Sequence, residues 1–540
     1  MKLSMSMLLA GVPLAAAVEP LLLTKFVESG DLDGARNASK ISGLTVGTST
    51  KEANMGHAGF VSVPSESGDR VNNLYTWIQP CSDCNSTAED TPFIVWLQGG
   101  PGAPGNFGSF AEIGNYYVDE DLNLQERCFA WCASANCLFI DQPTMTGYSF
   151  QSYPNGTAIS DPDAVEYTTT SPHAMEQVYQ VLVQMFTIFP EHKSQPLYIT
   201  GESYGGIYTG NLGYVIYNHN QKLAKQEEAP VVAAGDVPTE LPINFVGLAV
   251  GDPVMNGGYQ WPTYADTLYG FGVVMLDERE ELRTIFNNGV ESLKKFDAGE
   301  GDCWTAFSYW NSVWQDDSGG GLPGKFCNFT GSDNSENVLL GGQPPEFDYW
   351  TEFMKKQAHA MHSEGSPSTS TWEGGEVYHT MVRSGDFCRN SSWIYATLYE
   401  KANIDLMIYS STVDALLGPP TTEAGVMATL DYSAEHFGED FKNSYLAAPK
   451  QIWRTEVNDS NLAGYARCTV NDKNKRFCYT VIRNGGHETP AFQPRTSYDM
   501  FERFRQGRSF GPDGDDTKLP TCAQCSGVAP FAGKALPECN

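Results

Sequence analysis

Leu197-Tyr198-Ile199-Thr200-Gly201-Glu202-Ser203-Tyr204-Gly205-Gly206 is the stretch on which the fold turns. An apolar, β-branched run reads as a strand, Gly-x-Ser-x-Gly follows, and helical spacing resumes over Ile207–Asn218. A serine between glycines at a strand-to-helix junction is a nucleophile elbow. The turn is too tight for Cβ atoms beside it, and it lifts the serine hydroxyl clear of the sheet. The helix that follows turns its positive end toward any negative charge developing there. A bare Gly-x-Ser-x-Gly is common by chance; the strand before it and the helix after it make this one specific.

Working outward, five more runs read as buried strands bounded by turn residues: Phe93–Leu97, Cys137–Ile140, Phe245–Val250, Leu406–Tyr409 and Cys478–Ile482, beside Leu197–Thr200 itself. Each is short and rich in apolar and β-branched residues, as a parallel strand covered on both faces must be. Helical patterns fall between them, notably over Ala174–Phe189 and Ile207–Asn218. This alternation predicts an α/β protein with a mostly parallel central sheet and helices on both faces.

After Asp252-Pro253 the alternation stops. Residues 254–390 are rich in Trp, Gly and Asp, with a helical piece at Leu276–Phe286 and a loop at Ser318–Gly321. We read this span as an inserted cap over the sheet; a separate domain is the alternative. The expected layout is a signal peptide over 1–17 and an N-terminal segment over 18–55 that a propeptide would occupy. The sheet domain then takes 56–253 and 391–510 on either side of the cap, and 511–540 is a Cys-rich tail.

Hydrophobic residues make up 41% and charged residues 18% of the 540, enough for a large core. The formal net charge of −31 argues against a nucleic-acid surface, which needs clustered Lys and Arg. The same charge serves solubility, and it suits an acidic compartment where carboxylates take up protons. Lys2, the apolar stretch Met5–Leu14 and Ala15-Ala16-Ala17 have the order of an export signal. No run reaches the ~18 apolar residues a transmembrane helix needs, so no membrane anchor is expected. Six sequons, at Asn37, Asn85, Asn155, Asn328, Asn390 and Asn458, and 13 cysteines fit the secretory pathway, with a secreted, vacuolar or lysosomal destination. Cys81/Cys84, Cys468/Cys478 and Cys522/Cys525 are spaced as local disulfides. The alternative joins the two C-x-x-C pairs into one zinc site.

A serine hydroxyl is a weak nucleophile until a base takes its proton, so a histidine held by a carboxylate is required. In a fold with this elbow the chain order is Ser, acid, His, each just past a strand. Asp414 follows Leu406–Tyr409 through a four-residue loop, Ser410–Val413. His487 follows Cys478–Ile482 within Asn484-Gly485-Gly486-His487. Either could be an ordinary loop residue, but among nine histidines His487 is the late one directly after a strand. Near the other end, Val95-Trp96-Leu97-Gln98-Gly99-Gly100-Pro101-Gly102 puts a Gly-Gly turn at a strand end, where backbone N–H groups approach a ligand closely.

Together these blocks resemble the serine carboxypeptidase family, with some similarity to its vitellogenic-like members. The matching blocks are Trp96–Gly102, Ile140–Ser149, Gly201–Gly206, Gly251-Asp252-Pro253, Ile408-Tyr409 with Asp414, and Gly486-His487 with Pro490. They run in order from about Phe60 to Arg505. The resemblance implies the α/β-hydrolase fold and assigns Ser203 as nucleophile, His487 as general base and acid, and Asp414 as its orienting carboxylate. It further implies an oxyanion hole from the N–H groups of Gly100 and Tyr204. Gln98, Glu112 and Glu202 would hold the free C-terminal carboxylate of a peptide. Two carboxylates side by side must share a proton, which predicts a raised pKa for Glu202 and activity favoured at acidic pH.

Two positions depart from the family's usual pattern: Gln98 replaces an Asn, with a methylene to accommodate, and Ala103-Pro104-Gly105 replaces Cys-Ser-Ser, removing a common disulfide. The resemblance implies acyl transfer to water without metal or organic cofactor, with peptide or protein C-termini as substrate. A serine-carboxypeptidase-like acyltransferase shares every motif. An esterase or lipase would leave Gln98, Glu112 and Glu202 without a carboxylate to hold. A non-catalytic binding protein on a hydrolase scaffold would be marked by loss of a triad member, and none is lost. Preferred terminal residue and oligomeric state are not encoded in these blocks.

Overall fold

The computed structural model describes residues 18–512 apart from 48, 226–235, 315–323, 333, 341, 369–374 and 457–461. The expected export signal, the loop Ser318–Gly321, the Asn458 sequon and the pair Cys522/Cys525 lie outside the described residues.

Thirteen strands are formed by the described residues: β1 His57–Pro64, β2 Val71–Gln79, β3 Phe93–Leu97, β4 Tyr116–Val118, β5 Leu124–Glu126, β6 Asn136–Ile140, β7 Phe150–Ser152, β8 Leu197–Glu202, β9 Phe245–Gly251, β10 Asp405–Ser411, β11 Gln451–Trp453, β12 Gly464–Val470 and β13 Arg476–Ile482. All but the small β4–β5 hairpin join one sheet in the order β1-β2-β6-β3-β8-β9-β10-β13-β12-β11, with β7 beside β2. The six strands read from the sequence are its centre, and every pairing among them is parallel. The strands outside that centre pair antiparallel.

Their apolar runs have a simple cause. In β3, Phe93, Val95 and Leu97 enter one core cluster while Ile94 and Trp96 enter another. β10 divides the same way, with Leu406 and Ile408 on one face and Met407 and Tyr409 on the other. Helices Ser171–Ile188 and Gly205–Leu223 cover the first face; helix Pro494–Arg505 covers the second through Met500, Phe501 and Phe504. Both faces are dry, so alternation in polarity disappears.

Between β9 and β10 the chain leaves the sheet and forms helices, the longest being Leu276–Asp297. The disulfide Cys303–Cys388 closes much of this excursion. Cys81–Cys84 and Cys468–Cys478 are bonded as read from their spacing, and Cys132–Cys137 forms a further bridge. Zinc ligation by Cys81 and Cys84 is thereby corrected: their sulfurs bond each other and have no thiolate left to offer. The disulfides require an oxidising compartment, which assigns the chain to the secretory pathway. No helix among the described residues is long and apolar enough to cross a membrane.

The N-terminal segment is packed in. Leu23, Val27 and Ala35 belong to the main core, and Leu21–Leu23 hydrogen-bonds to Phe60 on the outermost strand β1.

Candidate active site

Parallel strands in one sheet end on one edge, and β8, β9, β10 and β13 are consecutive neighbours. Ser203, Asp252, Asp414 and His487 each follow one of these ends, so topology alone brings distant sequence positions together.

Ser203 follows β8 with φ +61°, a left-handed conformation that costs a residue with a Cβ about 1–3 kcal/mol. Three backbone hydrogen bonds hold it there. Its N–H donates to Gly251 O (3.0 Å), and its carbonyl accepts from Gly206 N–H and Val254 N–H (both 2.9 Å). The flanking glycine is obligatory for space: a Cβ on Gly201 would lie 2.5 Å from Leu97 O. Ser203 is half-buried while its immediate neighbours are buried, so the hydroxyl-bearing residue is the one that meets solvent.

The Gly-Gly turn after β3 packs directly on this elbow. A Cβ on Gly99 would stand 2.8 Å from Ser203 Cβ and 2.9 Å from Tyr204 N. Gly100 has φ +107°, open only to glycine. Among the described residues no backbone carbonyl accepts from Gly100 N–H or Tyr204 N–H. Two unengaged amides beside a strained serine suit a developing oxyanion.

His487 Nδ1 lies 2.8 Å from Asp414 Oδ2. Asp414 Oδ1 accepts from Leu416 N–H (2.7 Å) and Leu417 N–H (3.1 Å), so three donors converge on a fully buried carboxylate. Burial pushes the His487 imidazole down, but the charge of Asp414 and its hydrogen bond outweigh this and hold it well above the usual range. With Nδ1–H committed to Asp414, Nε2 is the nitrogen left to exchange a proton.

Gln98, Glu112 and Glu202 form a second cluster beside the elbow. Trp96 Nε1 donates to Gln98 Oε1 (2.6 Å), which turns the amide so that its Nε2 donates to Glu202 Oε1 (3.2 Å). The longer Gln side chain has room because residue 108 is glycine; a Cβ there would lie 2.8 Å from Gln98 Oε1. Glu112 sits on a π-helical turn, Gly108–Ile113, fully buried with neither oxygen in a closed hydrogen bond among the described residues. Burial drives its carboxyl up to about 7, and Glu202 is raised well above its usual range by burial and then by the Glu112 charge.

Three further acids lie at this edge; Asp252 stands in a matching block without a role, and Glu488 and Glu336 carry no signal in the sequence. Glu488, next to His487, is buried and pushed up by burial and by Glu336, which is raised too. Asp252 accepts from Ser411 N–H (3.1 Å) and Thr489 Oγ1–H (3.0 Å), tying the Asp414 loop to the His487 loop. Asp252, Asp414 and His487 offer ligand atoms within 4.8 Å of one another. Their oxygens are already taken by N–H and O–H donors, a set arranged for proton transfer.

The helical excursion touches every part of the site. Segment 335–338 hydrogen-bonds to both catalytic-edge loops: His487 N–H to Glu336 O (2.8 Å), Ala415 N–H to Ser335 O (3.0 Å) and Val338 N–H to Val413 O (3.0 Å). Trp350 stacks on Phe110, two residues from Glu112.

The serine carboxypeptidase family model matches residues 47–507. The chain belongs to this family. It is 29% identical to the human "Probable serine carboxypeptidase CPVL" over 503 residues, covering 92% of this chain and 91% of that one. It is 28% identical to the venom serine carboxypeptidase of Apis mellifera, with 91% and 92% covered, and 26% identical to the vitellogenic carboxypeptidase of Aedes aegypti, with 90% of each covered. Among solved structures it is similar to Kex1(delta)p, a prohormone-processing carboxypeptidase from Saccharomyces cerevisiae (TM-score 0.61, 17% identity, 84% of this chain and 92% of that one). At that identity the likeness speaks to the fold. This serine carboxypeptidase therefore has the α/β-hydrolase architecture with a long helical excursion after β9.

Proposed function

We propose that this serine carboxypeptidase removes C-terminal amino acids from peptides through an acyl-enzyme on Ser203, and that acidic pH favours the reaction. The observation that carries the reading is the buried trio Gln98, Glu112 and Glu202 beside a strained Ser203.

His487 Nε2 takes the Ser203 hydroxyl proton while Oγ forms a bond to the last peptide carbonyl carbon. The carbonyl oxygen becomes negative and accepts from Gly100 N–H and Tyr204 N–H. Asp414 stabilises the imidazolium and fixes its tautomer. The C–N bond then breaks, His487 returns the proton to the leaving amine, and the terminal amino acid departs. Water, deprotonated by His487, releases the shortened peptide and restores Ser203.

The acid pair selects the substrate. When Glu112 and Glu202 share a proton they can donate to a terminal carboxylate; when both ionise they repel it. Binding should weaken as pH rises through about 7, where Glu112 gives up its proton, and further as the raised Glu202 follows. Protonation of His487, which Asp414 holds above the usual imidazole range, removes the base as pH falls, so kcat/KM should be bell-shaped and the acid preference should show in KM. Glu202, Glu488 and Asp252 are raised and keep protons on the acid side, which leaves Asp414 as the main charge facing the imidazole.

Residues 254–390 act as a cap that walls this site. The exposed sequon residues Asn37, Asn85, Asn155, Asn328 and Asn390 carry glycans, and the destination is extracellular or lysosomal. The deciding assay compares an N-blocked dipeptide, its C-terminal amide and an aryl ester from about pH 4.5 to about 7.5, with Ser203→Ala as control. Cleavage of the free acid that fades with rising pH, while the amide changes less, supports the reading. Ester hydrolysis through Ser203 without peptide cleavage overturns it in favour of an esterase or acyltransferase.

A further inference from the structure

The geometry points to Asp386 as a positioning residue that aims the Tyr204 N–H of the oxyanion hole from within the inserted excursion. It rests on the reading of Tyr204 N–H as an oxyanion donor given above.

Tyr204 directly follows the nucleophile, and its side chain is wholly buried. Its hydroxyl donates to Asp386 Oδ2 at 2.5 Å. The Ser171 hydroxyl donates to the same oxygen, and Ser171 N–H, in the first turn of helix Ser171–Ile188, donates to Oδ1 at 3.0 Å. Asp386 is 0% exposed, so the whole network lies out of water. Burial pushes its carboxyl up, and the hydroxyls of Ser171 and Tyr204 draw it part of the way back. Phe387 stacks on the Tyr204 ring (5.7 Å, 22°), and the next residue, Cys388, is bonded to Cys303. Asp386 and Phe387 thus grip the tyrosine by a hydrogen bond and ring packing, and the disulfide of Cys388 anchors the segment that carries them.

The consequence lies at the peptide plane between Ser203 and Tyr204. An oxyanion donor works only when held about 2.7–3.1 Å from the developing charge, and small misplacements there are costly. Tyr204 N–H shares a peptide plane with the Ser203 carbonyl, held on one side by Gly206 N–H and Val254 N–H, and on the other side the far end of Tyr204 is tied to Asp386. Asp386 is fully buried and bonded to the Tyr204 hydroxyl, so the residue acts through Tyr204 and not on the reacting atoms.

Tyr204→Phe keeps the N–H and removes only the hydroxyl. Asp386→Ala removes the acceptor, and Asp386→Asn retains one. The folded state of each is checked by its Tm. Three readouts serve: kcat and KM for an N-blocked dipeptide, the same for an aryl ester, and the rate at which an alkyl fluorophosphonate labels Ser203. In that labelling Oγ forms a bond to phosphorus, fluoride leaves, and His487 accepts the proton; the phosphoryl oxygen occupies the oxyanion hole, so no substrate need be known.

Both Tyr204→Phe and Asp386→Ala should lower kcat about ten-fold or more with KM within about two-fold, equally for peptide and ester, and should slow labelling by the same factor. Asp386→Asn should recover part of the loss. The double variant should be no worse than the poorer single one, because both cut one link. Folded variants with unchanged kcat and labelling, a loss confined to KM, or fully additive losses would overturn the inference. Ser203→Ala separates the two levels. If it keeps activity or is still labelled, the underlying reading fails; if it is inert while the Asp386 variants match wild type, only this inference fails.

Discussion

Two pairs of ionisable side chains share the edge of the sheet beside Ser203, and they are built on opposite plans. His487 and Asp414 set an imidazole against a carboxylate in direct contact, and backbone N–H groups occupy the remaining oxygen of the acid. Glu112 and Glu202 are like charges, equally buried, with three of their four oxygens lacking a hydrogen bond among the described residues. Burial alone therefore does not decide a side chain's charge. In the first pair a partner of opposite sign secures it; in the second, the missing donors force a proton to stay. In one pair the acid orients an imidazole that can take up and return a proton. The other holds a proton through burial, which on the proposed function makes it a pH-dependent receptor.

The largest test of this contrast is Asp414→Asn. It preserves shape but presents an amide where the imidazole needs an acceptor, and kcat should fall by about 10⁴-fold with little change in KM. Steady-state kinetics on the dipeptide reads both; a loss in KM alone would mean that the pair binds and does not catalyse. Glu202→Gln attacks the other pair. The KM for a free acid should rise about ten-fold at acid pH, its increase from about pH 6 to about 8 should flatten, and the C-terminal amide should change by less than about two-fold. Equal effects on acid and amide would break the assignment.

Stability gives the third comparison. Glu112 titrates near 4.5 when unfolded and near 7 when folded, so the folded state binds the extra proton. Its stabilising contribution is whole below the unfolded value and is lost as pH rises through the folded one. Tm should fall between about pH 5 and about 7, and Glu112→Gln should make that slope shallower. A slope unchanged in the variant would show that other groups set it. The smallest effect is expected from Gln98→Met, which deletes one neutral donor to Glu202; KM for the free acid should rise about five-fold, in line with a hydrogen bond of about 1 kcal/mol.

The central strands were legible because two dry faces erase polarity along the chain, and the places of Ser203, Asp414 and His487 were legible because each follows a strand end. The outer strand β2 was not. It buries Asn72, Asn73 and Gln79, and the last two are matched across the fold, Asn73 to Ser62 and Ser152 and Gln79 to Ser109. Buried amides read as surface until their partners are known. Glu336 and Asp386 escaped for the same reason, and Asp252 stood in a matching block without a role: each gains its meaning from residues brought to it by tertiary packing. Glu112 came from the family's spacing, and its burial beside Glu202 is visible only in three dimensions.

The contact of Leu21–Leu23 with Phe60 bears on aggregation. β1 ends the sheet, and an uncovered end strand offers its backbone to any other chain. Leu23 N–H donates to Phe60 O (2.8 Å) and Phe60 N–H to Leu21 O (2.9 Å), so the N-terminal segment shields that edge. A protein shortened to begin at Gly56 should lose more than a few core contacts. It should self-associate through β1, and its yield as a monomer, followed by light scattering, should depend steeply on concentration.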